Sequence, residues 1–135
     1  MGHPDVAVTC AWPAELGRLT DAFDVVAADV PCSGEGMFRK DAGAVAEWSM
    51  PNVEQCAARQ RDIIRQIWPA LRAGGFLVYS TCTFNPLEDE HNVSYICREL
   101  GAEPCHCGGA SLGDSGRYHR RHAARVSLFR IARGA

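Results

Sequence analysis

No stretch of this chain is apolar for long enough to span a bilayer, and no secretory signal opens it. A soluble, cytoplasmic protein is the expectation. Charge of one sign is also lacking: 14 Lys and Arg face 16 Asp and Glu, for a net charge of −2. That balance excludes a nucleic-acid binder recognisable by charge alone, although basic residues gather locally in "FRK" and "GRYHRRHAAR". An even cysteine framework is missing as well. The cysteines number 7 and show no regular spacing, which argues against a secreted disulfide scaffold and for reduced thiols. There is no internal repeat and no low-complexity linker. What remains is 135 residues, 47% of them hydrophobic, enough for one small domain with a core.

The apolar pattern alternates between strand and helix. "PDVAVT" (Pro4 to Thr9) reads as a short strand, and "FDVVAAD" (Phe23 to Asp29) as a strand buried on both faces. After a Gly-rich loop, a long helix is expected from a cap at Ser49, with Val53, Cys56, Ala57, Ile63, Ile64, Ile67 and Leu71 inward. Pro69 should bend its last turn, and Gly74-Gly75 should stop it. "FLVYS" (Phe76 to Ser80) reads as the next buried strand. A second helix should start at Asn85, with Pro86 in the first turn and Glu88 completing a capping box. Its inward stripe is Val93, Ile96, Cys97 and Leu100, ending at Gly101. "AEPCHC" and "VSLFRI" are weaker strand candidates. Such alternation predicts a parallel sheet covered by helices, with the Phe23 and Phe76 strands as parallel neighbours. Ligands bind such sheets beyond the carboxyl ends of the strands. Asp29, Cys32, Thr81 and Cys82 all fall there.

A thiol at a strand end has four readings: nucleophile, metal ligand, half of a redox pair, or packed small residue. Cys56 and Cys97, on apolar helix faces, read as inert hydrophobes. Cys10 has no motif around it. The spacing of Cys105, His106 and Cys107 matches no standard pair of zinc ligands. Cys32 and Cys82 differ in their surroundings. "PCSGEG" offers small residues that let a substrate approach the backbone, and "STCTF" flanks its thiol with hydroxyls.

These blocks resemble the Nop/Sun family of RNA cytosine-5 methyltransferases, in particular its bacterial ribosomal RNA branch of the RsmF and RsmB type. That family carries Asp-x-Pro-Cys-Ser-Gly-Glu-Gly after its fourth strand, matched by Asp29 to Gly36, and Ser-Thr-Cys-Thr/Ser after its fifth, matched by Ser80 to Thr83. "GMFRKD", "EWS", the "RQ" helix and "GG-x-LVYSTCT" agree, so the likeness runs from about Pro4 to Leu100. It implies a Rossmann-like fold, S-adenosylmethionine as cofactor, and RNA as substrate. It also implies roles. Cys82 matches the nucleophile that adds to carbon 6 of cytosine and activates carbon 5. Cys32 matches the thiol that assists product release, and Asp29 the acidic group near ring nitrogen 3. Asp29 and Pro31 match the cofactor's vicinity. Arg39 and Lys40 either hold RNA phosphate or form an exposed basic loop.

The chain departs from the family at both ends. The "AAPGGK"-like loop and the ribose-binding carboxylate, carried by the first two strands of that fold, have no counterpart here. Trp12 stands near the place of an aspartate facing adenine, and the tail lacks a Gly-Glu-Gly-Phe pattern. The expectation is a truncated methyltransferase domain over residues 1–104 and a divergent tail over 105–135. Cofactor binding would then depend on a missing N-terminal half. The rival readings are a non-catalytic remnant or RNA-binding fragment and, further off, a thiol redox or metal-binding protein.

Overall fold

The computed structural model describes residues 4–105 and 125–131. Its elements in chain order are α1 (Pro13–Leu16), β1 (Phe23–Asp29), α2 (Ala42–Glu47), α3 (Met50–Ile67), β2 (Leu71–Thr81), α4 (Glu90–Glu99), β3 (Ala102–Cys105) and β4 (Arg125–Ile131). Four strands form one sheet in the order β1-β2-β4-β3. β1 and β2 are parallel neighbours, as the pattern predicted. The sheet as a whole is mixed, because β4 runs antiparallel to both β2 and β3.

Several expectations need correction. Residues 4–9 form no strand, and Val6 and Val8 are 63% and 92% exposed. Strand backbone needs a ladder neighbour, which alternating apolar residues do not themselves supply. β1 has the predicted limits but is not buried on both faces. It lies at the edge of the described sheet, and Val25 is 54% exposed.

α3 starts where expected: the Ser49 hydroxyl caps it by accepting the Asn52 N–H. It ends at Ile67, earlier than predicted. Pro69 has no N–H to continue the ladder, so the chain tightens into a 3-10 turn at Trp68–Ala70 and turns extended at Leu71. Gly74 and Gly75 therefore lie inside β2. They form a bulge there, where the register jumps from Phe23↔Leu71 to Val25↔Phe76. Gly74 has φ +78, and a Cβ at Gly75 would stand 2.8 Å from the Arg72 carbonyl oxygen and 2.9 Å from that of Asp24.

α4 begins at Glu90 rather than in the first turn after Asn85. Asn85 does organise a preceding turn, its side-chain oxygen accepting the Leu87 N–H at 3.0 Å. Glu88 does not return to the cap, because its carboxylate points into the core. The core joins Val30, Ile64, Leu77, Tyr79, Ile96 and Phe129, with Val93 and Cys97 of α4 and Leu100 just after it packed against it. Each fully buried aliphatic side chain contributes about 1.5–3 kcal/mol. α3 and α4 thus brace the sheet from which the two thiols project.

Candidate active site

Two parallel strands in register end on the same rim. Asp29, the last residue of β1, pairs with Ser80 next to the end of β2. The ladder extends one residue further, with the Val30 N–H donating to the Ser80 carbonyl at 3.0 Å. Beyond it, the loop after β1 is tied to the loop after β2. The Gly36 N–H donates to the Cys82 carbonyl at 2.8 Å. The Glu35 carboxylate accepts from the Phe84 N–H at 3.1 Å, Asn85 Nδ2 at 3.3 Å and Trp48 Nε1 at 3.1 Å. Gly34, at φ +84, gives the loop the left-handed turn this docking requires.

The result is a pair of free thiols, with Cys32 Sγ 2.8 Å from Cys82 Sγ and both half-buried. Asp29 is exposed beside them, close enough for its charge to act on Cys82. The structure thus brings together Asp29, Pro31, Cys32 and Cys82. Arg39 and Lys40 sit on the exposed turn that follows Met37. Cys10 is exposed, and Cys56 and Cys97 are half-buried. Among the described residues no three His, Cys, Asp or Glu side chains gather as a metal site. Cys105 is described, whereas His106 and Cys107 lie outside the described residues.

Burial, and then the hydrogen bond and charge of Cys32, push the Cys82 thiol up to about 12, with Asp29 adding to the rise. At neutral pH Cys82 is a thiol, and a base must take its proton before it can attack. Alkylation of Cys82 by iodoacetamide at pH 9 should accordingly be at least about tenfold slower than that of exposed Cys10. Cys32→Ala removes two of the causes, so the Cys82 rate–pH profile should move to lower pH. Peptide-resolved mass spectrometry reads both rates, and an unmoved profile would contradict this electrostatic picture.

Beneath the thiols lies a buried polar network that sequence reasoning missed. Gln60 of α3 is fully buried, and its Nε2 donates to the Pro31 carbonyl at 2.8 Å and to Glu88 Oε2 at 2.7 Å. Glu88 Oε2 also accepts the Ser33 N–H at 3.0 Å. Gln60 Oε1 accepts from the Tyr79 hydroxyl at 2.9 Å and from Asn92 Nδ2 at 2.6 Å. Arg61 Nε in turn donates to Asn92 Oδ1 at 2.7 Å. Burial pushes the Tyr79 phenol up, so it stays a donor. One signal was available in the sequence: Gln60 falls on the same inward stripe of α3 as Val53, Ala57, Ile64 and Ile67.

Residues 3–106 match the family model described as 16S rRNA methyltransferase RsmB/F. Among curated proteins, the chain is 41% identical over 99 residues to the ribosomal RNA small subunit methyltransferase F of Photobacterium profundum, covering 73% of this chain and 20% of that protein. It is 50% identical over 81 residues to the protein of the same name from Erwinia tasmaniensis, covering 60% and 17%. The chain therefore spans about a fifth of the length of the curated relatives it matches. Among solved structures it resembles NSun6 from Pyrococcus horikoshii with SFG, at TM-score 0.73 and 25% identity, over 97% of this chain and 36% of that one. A methyltransferase homolog from the same organism superposes at TM-score 0.66 with 20% identity, over 87% and 42%, a likeness of fold.

Proposed function

The chain belongs to the RsmB/F family of 16S rRNA methyltransferases and has part of its Rossmann-like fold, and from that premise we propose that it carries the reacting groups of an S-adenosylmethionine-dependent RNA cytosine-5 methyltransferase. The substrate in this reading is ribosomal RNA, in the cytoplasm. The observation that carries it is the thiol pair, 2.8 Å apart, where two parallel strands end beside a carboxylate.

The chemistry follows from that arrangement. A target cytosine is unstacked to enter the rim. Cys82, once deprotonated, adds to carbon 6. The ring electrons move toward nitrogen 3, which takes a proton from the carboxyl group of Asp29, and carbon 5 becomes nucleophilic. S-adenosylmethionine supplies the electrophilic methyl group when bound. In release a base takes the proton from carbon 5, the carbon 5–carbon 6 double bond re-forms and the Cys82 sulfur leaves as a thiolate, with Cys32 placed to assist. Arg39 and Lys40 are exposed and free to meet phosphate.

The residues present fit one side of a cofactor site. An apolar cleft of about 280 Å³ runs along β1 as far as Ala28, the residue before Asp29. That gives an apolar wall and a carboxylate for the adenosyl and amino-acid parts. The chain has no counterpart to the Gly-rich loop that would cradle the rest. Calorimetry should therefore detect no S-adenosylmethionine binding by the 135-residue chain alone. Joined to the N-terminal part of the Photobacterium enzyme, it should bind cofactor and place the methyl group on carbon 5 of a 16S rRNA cytosine. A joined protein that methylates another atom would refute the reading. Micromolar binding by the chain alone would refute the division of the cofactor site.

The thiol pair also suits a redox dithiol. That reading is weaker, because the two cysteines stand 50 positions apart and show no redox spacing.

A further inference from the structure

Gln60 is out of place by packing alone. The rest of the inward stripe of α3 is apolar, and a buried amide costs free energy unless its hydrogen bonds are made. Here both ends of the amide are met: Nε2 donates to Pro31 and Glu88, while Oε1 accepts from Asn92 and shares the single Tyr79 hydroxyl proton with the Glu88 backbone carbonyl. A flipped amide would face its oxygen toward the Pro31 carbonyl and the Glu88 carboxylate, so the neighbours fix its orientation.

What this amide grips is specific. The Pro31 carbonyl belongs to the peptide unit before Cys32, and the Ser33 N–H to the unit after it. Gln60 holds the first and Glu88 the second, and the two side chains are bonded to each other at 2.7 Å. The rotations about Cys32 are thus bounded by two anchored peptide planes. Glu88 Oε1 is buried without a partner among the described residues, and the bonds at Oε2 hold this carboxylate. We propose that Gln60 and Glu88 are positioning residues that clamp the backbone on both sides of Cys32 and so fix its sulfur beside that of Cys82. The consequence for turnover rests on the reading of Cys32 as the release thiol; the clamp itself does not.

The test is amide hydrogen exchange on the 135-residue chain, read residue by residue by NMR. Gln60→Met keeps the shape and removes the amide. It should lower the protection of the Ser33 N–H by at least about fivefold, the effect of losing one buried hydrogen bond. Val30 N–H, which bonds across to Ser80, should stay within about twofold. Glu88→Ala should lower Ser33 protection at least as much. Glu88→Gln, which keeps an acceptor oxygen, should restore it to within about twofold of the parent. Unchanged Ser33 protection in Gln60→Met, or a fall shared equally by Val30, would overturn the clamp. If Gln60→Met does not fold, the Glu88 pair decides: equal protection in the alanine and glutamine variants overturns it.

In the joined enzyme, Gln60→Met should slow release and accumulate covalent RNA complex while forming it at the parent rate. Failure of that arm alone, with the exchange result intact, would refute the release role of Cys32 and leave the clamp standing.

Discussion

Cys82→Ala, in the enzyme completed with the Photobacterium N-terminal part, is expected to abolish methylation and covalent RNA capture together. With Cys82 as the proposed nucleophile, the loss should be roughly 10⁴-fold or more, the scale seen when a nucleophile is removed. Cys32→Ala should behave differently. The adduct and the methyl transfer still occur, but release stalls, so a denaturation-resistant protein–RNA complex accumulates. Asp29→Asn should leave little adduct, because ring nitrogen 3 loses its proton donor. The 2.8 Å between the sulfurs makes this comparison strict, since either thiol lies within reach of the same ring. A denaturing gel with labelled RNA and cofactor separates the cases. If Cys82→Ala traps RNA and Cys32→Ala does not, the two roles are exchanged.

Phe129→Ala should be the most destabilising single change in the sheet. Phe129 is fully buried in β4, opposite Leu77 of β2 on one side and Pro104 of β3 on the other. Truncating a buried phenylalanine costs about 3–5 kcal/mol. Domains of this kind are stable by only about 5–15 kcal/mol. The urea midpoint should therefore fall steeply, to the point of unfolding if the parent lies at the low end of that range. The neighbouring Arg130→Ala is the control. Its ion pair with Glu103 spans 3.0 Å but is 53% and 58% exposed, so its loss should cost less than about 1 kcal/mol. Equal midpoints for the two variants would mean that β4 does not carry the core.

How legible the site was depended on the range of the interactions that build it. β1 was readable to the residue, and so was the Ser49 cap, because apolar runs and caps are local signals. The meeting of Cys32 and Cys82 was readable because parallel neighbours end on one rim. The strand expected at Pro4 failed because alternation records a preference and not a partner. Gly74-Gly75 was read as a helix stop, although Pro69 had already ended the helix and the glycines serve a bulge. Glu88 was read as a cap because the pattern three residues after Asn85 is real. Its bond to Ser33 reaches 55 positions back along the chain and leaves no local trace. β4 was visible as an apolar run, but its place between β2 and β3 was not.

That place sets an order of events during synthesis. β2 and β3 emerge from the ribosome early, yet they cannot touch in the finished sheet, because β4 lies between them and follows them in the chain. At about 5–20 residues per second, a nascent chain waits for seconds with both strand edges bare. Pairing of those edges with each other in the interval would bury similar apolar surface in the wrong partner order. A translational pause between the codons for Cys105 and Arg125 would lengthen that exposure, so synonymous changes in this short stretch should alter the yield of soluble protein without altering any residue of it.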